Sequence, residues 1–318
     1  MRGVLLVNLG SPRSLDVADV RSYLRELLDD PRVIRMWPPA RAALVNLIIA
    51  PTRAPKSAEA YRRIWTPDGS PLLAYTRAFA AQLAQRLPDA RVEIGMQCGE
   101  PKLEAALTRL ADVEELVVVP LYPQYASAMT GSAMERVHRW VASREHVPAV
   151  RVIPPFFGDS GFIAAWRARL APYVGETDHL LCSFHGVPLS HLPCRTGCDC
   201  VGEIGRHCYK RHCEATAAAI ASEAAVPWSI AYQSRLGRDP WLGPTTLAEL
   251  ERLARAGVRR VAVACPSFVA DCLETLEEIG MGAAEHFRAA GGESLTLVPS
   301  LNAEPAWVDA VARMIRQG

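Results

Sequence analysis

The chain contains two apolar runs of the same design, each closed by a glycine, one further residue and a proline. Two other pairs of segments repeat in the same order in the two halves. The three pairs are GVLLVNLGSP (3–12) with HLLCSFHGVP (179–188), VEIGMQCGEP (92–101) with WSIAYQSRLGRDP (228–240), and ELVVVPLYPQYA (115–126) with RVAVACPSFVAD (260–271). An apolar run that stops at Gly or Pro is typical of a buried strand, and such strands alternating with helical patterns predict parallel sheets. The sequence therefore predicts an α/β fold of two duplicated Rossmann-like (doubly wound parallel sheet) halves, with a cleft between them.

The repeat also predicts where the halves divide. We expect an N-terminal half over 1–172 and a C-terminal half over 173–318, with a crossover helix within 156–173. The segment of about residues 22–83 has no counterpart in the second half, so it is interpreted as an insertion after the first strand.

Composition excludes several classes of protein. The 318 residues include 35 basic and 34 acidic side chains, so no nucleic-acid footprint is visible. No apolar run approaches the roughly 18 residues that a membrane span needs, and the apolar part of the N-terminus is too short for a secretory signal. We expect a cytoplasmic protein. The run 42–50, AALVNLIIA, is flanked by Arg41 and Arg53 and predicts peripheral membrane contact or the mouth of an apolar pocket.

His185 is the residue in the repeat that carries chemistry. It ends a predicted strand, and ligands of open α/β sheets bind at the carboxyl ends of strands. Imidazole changes its charge within the physiological pH range, which suits proton transfer. A histidine satisfied by a backbone carbonyl is the alternative. The repeat places Leu9 at the corresponding position of the first half, so the chemistry is predicted for the second half.

An acidic segment follows the third strand of the second half. On an α-helix, Asp271, Glu274 and Glu278 would share one face. Within a cleft, such carboxylates are candidate proton acceptors or metal ligands; the alternative is an ordinary solvated helix start. The equivalent part of the first half, residues 130–132, has no carboxylate.

These features occur together with motifs that resemble the ferrochelatase family, whose members insert ferrous iron into a porphyrin. The motifs lie between residues 4 and 279: LLVNLGSP, YRRIW with GSPL, PLYPQYASAMTGS, SFHGVP, YQSRLGRDPWLGPTT and CPSFVADCLETLEEI. The resemblance implies that His185 and Glu274 face each other across a bent macrocycle. His185 is then the expected proton acceptor and iron contact, and Glu274 the iron ligand and second acceptor. Asp271 and Glu278 are expected on a path for protons or metal.

The resemblance also implies a porphyrin-binding lip in the inserted segment. Arg53 matches a position that suits a propionate, and Tyr61 and Ser70 match further porphyrin contacts. The residues WTPD (65–68) lie between the YRRI motif and the GSPL motif that contains Ser70. The other expected contacts are Tyr125, for which Tyr122 is the neighbouring choice, and Asn8 and Leu9 at the pocket floor.

Five of the nine cysteines are clustered just after His185, in the segment 194–213. They are Cys194, Cys198, Cys200, Cys208 and Cys213. The C-x2-C pairs typical of structural zinc are absent, and disulfides do not suit a reducing cytoplasm. Similarity to bacterial ferrochelatases with an internal cysteine-rich segment implies a [2Fe-2S] cluster on Cys194, Cys198, Cys200 and Cys208, with Cys213 as the alternative to Cys208. A structural zinc is the competing interpretation.

The expected activity is insertion of ferrous iron into protoporphyrin IX to form haem. Coproporphyrin III is an alternative substrate, and a cobalt or nickel chelatase of the same superfamily is an alternative enzyme. A non-catalytic iron–sulfur or haem carrier is the alternative outside enzymes. The lip residues and the acidic segment favour the enzyme, because a carrier needs no line of carboxylates to deliver metal.

Overall fold

The computed structural model describes residues 1–193, 207–237 and 239–317. The chain forms two compact units. Unit 1 comprises Met1–Tyr122, Ala126–Pro154 and the C-terminal residues from Val308. Unit 2 comprises Pro123–Tyr125 and Pro155–Trp307.

Unit 1 is built on a four-stranded parallel sheet in the order β2-β1-β3-β4. Its strands are β1 (Arg2–Ser11), β2 (Ala90–Gly99), β3 (Glu115–Pro120) and β4 (Ala149–Val152). The α-helices that start in this unit before β4 are α1 (Val17–Leu28), α2 (Pro38–Ala43), α3 (Ala50–Ile64), α4 (Pro71–Arg86), α5 (Leu103–Arg109) and α6 (Ser132–Ala142). Stretches of π-helix, Leu44–Ile49 and Ser127–Gly131, precede α3 and α6. Because helices cover both faces of the sheet, β1 is buried along almost its whole length.

Unit 2 repeats this design with the strand order β6-β5-β7-β8, again all parallel. Its strands are β5 (His179–His185), β6 (Trp228–Gln233), β7 (Arg260–Ala264) and β8 (Ser294–Leu297). Its helices are α7 (Ser160–Val174), α8 (Tyr209–Ala221), α9 (Thr246–Arg255), a π-helix (Glu274–Ala283) and α10 (Ala284–Ala289). The last helix of the chain is α11 (Pro305–Gln317).

The two sheets confirm the predicted α/β fold of two Rossmann-like halves. β1 and β5 take the same position in their sheets, as the matching apolar runs require, and β2 with β6 and β3 with β7 follow in the same order. The insertion predicted for residues 22–83 contains most of α1, all of α2 and α3, and most of α4.

The units divide at different residues from those predicted. The first long segment of unit 1 ends at Pro154 rather than near 172, because α7 packs within unit 2: Phe162 on this helix contacts the rings of Phe156 and Trp307. The C-terminal residues belong to unit 1, where Arg151 donates a hydrogen bond to the main-chain oxygen of Ile315.

Each unit has its own apolar core beside its sheet. The core of unit 1 includes Leu5, Leu107 and Val118, and the core of unit 2 includes Leu181 and Phe287. In the described part of the chain, no helix combines the length and apolar character that crossing a bilayer requires.

Candidate active site

His185 is the last residue of β5 and its imidazole is half-buried. Its Nδ1 lies 2.6 Å from the main-chain oxygen of Gly186. A carbonyl oxygen can only accept, so Nδ1 carries the proton and donates it, and in the neutral ring Nε2 keeps its lone pair. The rings of Trp241 and Phe268 flank the imidazole, with centroids 6.5 Å and 6.2 Å away. The side chain is therefore oriented as a base.

Gln233 ends the neighbouring strand β6, directly beside His185 in the sheet. The hydroxyl of Ser183 donates to Gln233 Oε1 at 2.7 Å, and Gln233 Nε2 donates to the main-chain oxygen of Glu274 at 2.7 Å. Gln233 is buried and uses both ends of its amide. It therefore joins the strand that carries His185 to the first turn of the acidic helix.

The acidic segment forms a π-helix that begins at Glu274, rather than an ordinary α-helix. π-Helical turns are rare and occur frequently at functional sites. Glu274 and Glu278 are both half-buried. The main-chain N–H and the hydroxyl of Ser234 donate to the two carboxylate oxygens of Glu278 at 2.7 Å and 2.5 Å.

Glu278 interacts electrostatically with Glu274 and with His185. Burial raises the pKa of its carboxyl above the usual range, and the hydrogen bonds from Ser234 oppose this shift. The charge of Glu274 raises the pKa further, whereas that of His185 lowers it. Unit 2 therefore brings the imidazole of His185 and the carboxylate of Glu274 each within electrostatic range of Glu278.

The third carboxylate, Asp271, does not share the predicted face. It lies ahead of the helix, is 3% exposed, and accepts hydrogen bonds from the Thr275 hydroxyl, the Ser300 N–H and the Asn302 amide at 2.9, 3.2 and 2.8 Å. Its main-chain N–H also binds the side chain of Asn302. A buried carboxylate with this many donors fixes the local backbone. The prediction of one helical face was wrong for Asp271, because donors from a distant loop draw its side chain inward.

Sequence reasoning missed three residues that shape this part of unit 2: Gln233, Ser234 and Trp241. Gln233 carries a signal in the sequence, since the repeat pairs it with Gln97. Ser234 has a left-handed backbone, with φ of 64°, that single-sequence patterns do not reveal. Trp241 comes near His185 through a bridge between its own backbone and that of Pro188.

The predicted lip residues lie in unit 1 and differ in their surroundings. Arg53 on α3 is exposed, and the described residues give it no hydrogen bond or ion pair. Tyr61 is only 5% exposed, with its ring in edge contact with Tyr23 and Trp65. Ser70 is buried at the start of α4. The structure therefore presents Arg53 to solvent and places Tyr61 and Ser70 within the packing of the inserted helices.

Asn8 and Leu9 lie near the carboxyl end of β1 in unit 1. Asn8 is buried; its amide donates to the Thr76 hydroxyl and accepts from the N–H of Leu9. Leu9 lines a cavity of about 680 Å³ whose walls also include Gln97 and Arg136.

Tyr125 belongs to unit 2, and its ring is half-buried. Its main-chain N–H donates to Nδ1 of His212 at 3.1 Å, and its ring meets His207 edge-on. The alternative, Tyr122, is buried in unit 1 and hydrogen-bonded to Gln97. Of the two tyrosines, Tyr125 has the more accessible ring.

Two of the five clustered cysteines are described. Cys208 precedes α8 and Cys213 lies within it, and both are fully buried. Burial raises the pKa of the Cys213 thiol, and the charge of Cys208 raises it further. Cys194, Cys198 and Cys200 lie outside the described residues. Among the residues that are described, no three His, Cys, Asp or Glu side chains converge on a metal site.

Comparison with solved structures finds similar folds in other proteins. SirB from Bacillus subtilis with Fe3+ has a TM-score of 0.55 and 14% identity, covering 99% of this chain and 94% of its own. CbiX, described as the terminal enzyme for siroheme biosynthesis in denitrifying bacteria, has a TM-score of 0.52 and 16% identity, covering 100% and 99%. At these identities the likeness shows the fold alone.

Comparison of sequences is more specific. Proteins named ferrochelatase are 45% identical in Bdellovibrio bacteriovorus, over 99% of this chain and 98% of the relative, and 44% identical in Pseudomonas putida, over 98% and 97%. One from Legionella pneumophila is 39% identical over 99% of both chains. The family model described as ferrochelatase matches residues 1–318. The chain belongs to the ferrochelatase family.

Proposed function

We propose that this protein inserts ferrous iron into protoporphyrin IX to form haem, with His185 and Glu274 as the catalytic pair. The observation that carries the proposal is the imidazole at the end of β5. Its Nδ1–H is held by Gly186, and none of the described residues forms a hydrogen bond with its Nε2, which can accept a proton. Glu274 and Glu278 lie within electrostatic range of one another, and His185 within range of Glu278. Membership of the family supplies the reaction.

The residue types suit the chemistry of metal insertion. Fe2+ enters as two pyrrole N–H protons leave, so charge balances and no electron is transferred. A neutral imidazole accepts a proton and can contact the iron, and a carboxylate binds a hard cation or accepts the second proton. We assign the first role to His185 and the second to Glu274. Glu278 lies four residues after Glu274 and is proposed to pass protons or metal to or from it. Asp271 is assigned a structural role instead of a place on this path for protons or metal.

Porphyrin binding is assigned to residues of the motifs that the family shares. Arg53 is the strongest of these assignments, because an exposed guanidinium without an ion pair among the described residues is available to a propionate. The other proposed contacts are Asn8, Leu9, Tyr61, Ser70 and Tyr125. For the buried side chains of Tyr61 and Ser70, support comes from the resemblance rather than from exposure.

The activity is tested with purified protein under anaerobic conditions. Ferrous iron with protoporphyrin IX should give the haem absorption spectrum, and coproporphyrin III, Co2+ and Ni2+ are supplied in parallel. Faster turnover of coproporphyrin III than of protoporphyrin IX would contradict the proposed porphyrin substrate, and faster insertion of cobalt or nickel than of iron would contradict the proposed metal. Binding of porphyrin without turnover of any metal would favour a carrier and contradict the enzyme.

We also propose a [2Fe-2S] cluster bound by Cys194, Cys198, Cys200 and Cys208, with Cys213 as the alternative fourth ligand. Thiolates are the ligands such clusters require, and the two described cysteines of the segment, Cys208 and Cys213, lie close enough to interact electrostatically. Binding through Cys213 would have to overcome the burial that raises the pKa of its thiol. The cluster supplies no step of metal insertion, because the reaction changes no oxidation state.

The cluster is tested by anaerobic purification followed by absorption spectroscopy and assays of iron and acid-labile sulfide. Cys208→Ser should abolish the visible bands and Cys213→Ser should retain them; the reverse result would exchange the two ligands. A colourless protein that contains zinc would contradict the cluster.

A peripheral membrane contact is proposed for the inserted helices of a cytoplasmic protein. The run 42–50 exposes Leu47 and Ile48, 76% and 57%, and the preceding turn exposes Trp37, 71%. Exposed apolar side chains beside Arg35 suit the interface of an anionic bilayer. The protein should sediment with phosphatidylglycerol vesicles, and Trp37→Ser with Leu47→Ser should release it. Equal sedimentation of the variant would contradict the contact.

A further inference from the structure

The hydroxyl of Tyr209 lies at the main chain of His185. Tyr209 begins α8, and its hydroxyl donates a hydrogen bond of 2.7 Å to the main-chain oxygen of His185. The same hydroxyl is 3.0 Å from Oγ of Ser267. Ser267 Oγ in turn accepts a hydrogen bond from the main-chain N–H of His185 at 3.4 Å. Both main-chain polar groups of the proposed catalytic histidine are therefore bound by one pair of hydroxyls.

The three hydrogen bonds of this arrangement all point the same way around it. The carbonyl of His185 can only accept, so the proton of Tyr209 goes to it, and the Ser267 hydroxyl donates to Tyr209 and accepts from the His185 N–H. The result is a closed ring of three hydrogen bonds. The Cys213 thiol is a further hydrogen-bond partner of the Tyr209 hydroxyl. Hydrogen bonds that form such chains polarise and strengthen one another, and an interior site strengthens them further. Tyr209 is 7% exposed, which keeps water from competing for its hydroxyl.

The ring fixes the peptide plane that leaves His185. The carbonyl of His185 and the N–H of Gly186 belong to the same planar unit. Tyr209 holds the carbonyl, and the main-chain oxygen of Gln233 accepts from the N–H at 2.8 Å. Both polar groups of this peptide are therefore held in place.

The imidazole depends on this plane. Its Nδ1–H is bound to the carbonyl of Gly186, the next peptide along, so a rotation of the 185–186 plane would turn that acceptor and with it the direction of Nε2. A small misplacement of a reacting group can cost up to about 10²-fold in rate.

We propose that Tyr209, acting with Ser267, is a positioning residue that holds His185 in the geometry needed for proton transfer. The inference rests on the proposed function, because it assigns the purpose of the hydrogen-bond ring to the reaction of His185. Tyr209 acts through His185 and is not itself assigned a contact with iron or porphyrin.

The test uses the full-length protein and compares Tyr209→Phe with Tyr232→Phe. Tyr232 is the matched control, because it is equally buried in unit 2 and the described residues offer its hydroxyl no hydrogen-bond partner. Tyr209→Phe should lower kcat about tenfold, with KM for porphyrin and for ferrous iron changed less than about twofold, since two of the three ring hydrogen bonds are lost and the binding residues are untouched. Tyr232→Phe should retain the kcat of the unmodified protein.

Ser267→Ala opens the same ring from the other side. It should lower kcat to a similar extent, and the double variant should be little slower than either single variant, because the ring is already open. Thermal unfolding checks that each variant is folded. If Tyr209→Phe does not fold, the comparison of Ser267→Ala with Tyr232→Phe decides the outcome.

A second readout does not depend on activity. In protein labelled with 13C at histidine Cε1, the His185 signal, assigned with His185→Gln, should shift in Tyr209→Phe and stay in place in Tyr232→Phe. An unmoved signal, or unchanged kcat in folded Tyr209→Phe, would overturn the proposal, as would an equal loss of kcat in Tyr232→Phe. If the unmodified protein turned over no porphyrin, the proposed function would fail, while the signal would still report whether Tyr209 positions His185.

Discussion

Gln233 donates a hydrogen bond from its side-chain amide to the main-chain oxygen of Glu274, across 2.7 Å. In unit 1, Gln97 at the end of β2 donates in the same way to the main-chain oxygen of Met129, across 3.2 Å, in the π-helix before α6. The duplicated halves therefore share the means by which a strand end holds a π-helix. They differ in what this arrangement presents, since Glu274 carries a carboxylate and Met129 a thioether.

Replacing Gln233 by Leu should lower both stability and turnover. The main-chain oxygen of the half-buried Glu274 loses its donor, which costs about 1–3 kcal/mol in the free energy of unfolding. The start of the π-helix is then free to shift, so kcat should fall about tenfold. Urea unfolding and anaerobic iron-insertion kinetics measure the two effects. Gln97→Leu should lower the free energy of unfolding by a similar amount, with a smaller loss of kcat. Equal losses of kcat in the two variants would contradict a catalytic role for the hydrogen bond between Gln233 and the main-chain oxygen of Glu274.

Gly186→Ala should destabilise the protein by about 1–3 kcal/mol, because an added Cβ would lie 2.8 Å from the Gln233 main-chain oxygen and 3.1 Å from the Trp241 ring. The strain falls on the peptide that orients His185, so kcat should fall as well. Gly175→Ala is the control: the added Cβ meets no atom of the described residues within 4 Å and should change the free energy of unfolding by less than about 0.5 kcal/mol. Equal stability of the two variants in urea unfolding would contradict the close packing of Gly186 against Gln233 and Trp241.

The parts of this structure that were predictable from sequence are those set by local pattern. The apolar runs ending in Gly-x-Pro predicted β1 and β5 and their equivalent places in two parallel sheets. They also placed His185 at a strand end. Apolar patterning reveals such strands because both faces of each sheet are covered.

The features that the sequence did not predict depend on contacts between residues that are distant in the chain. Asp271 is drawn inward by Ser300 and Asn302, which no pattern around Asp271 reveals. The division of the units depends on α7 packing its Phe162 against Trp307, far away in sequence. The hydroxyl of Tyr209 reaches His185 only once α8 is folded beside β5.

Asp271→Ala should reduce stability with little effect on the chemistry of the folded protein. Removing a buried carboxylate leaves the Ser300 N–H and the Asn302 amide without this acceptor, at a cost of about 1–3 kcal/mol each. Unfolding in urea measures the loss, and kcat is normalised to the folded fraction. A large fall in kcat at unchanged stability would instead return Asp271 to the proton or metal path.

Glu278→Gln should change how stability depends on pH. Burial and the charge of Glu274 raise the pKa of Glu278 in the folded protein, so the folded state holds this proton more tightly than the unfolded chain. The resulting stabilisation is fully present below the ordinary carboxyl pKa of 4.5 and is lost as the pH rises through the raised value. The glutamine variant lacks this loss, so its stability relative to the unmodified protein should rise over the pH interval above 4.5.

Urea unfolding at several pH values across that interval measures the difference. The control is Glu285→Gln on α10, which makes the same substitution at an exposed side chain. A stability difference for Glu278→Gln that does not change with pH would contradict the raised pKa.

The most direct test of the central claim is the rate of haem formation by His185→Ala under anaerobic conditions with ferrous iron and protoporphyrin IX. If the imidazole accepts a pyrrole proton, kcat should fall at least about 10²-fold, while the variant remains folded and still binds porphyrin. Full turnover in the folded variant would contradict the assignment of His185 as the catalytic base.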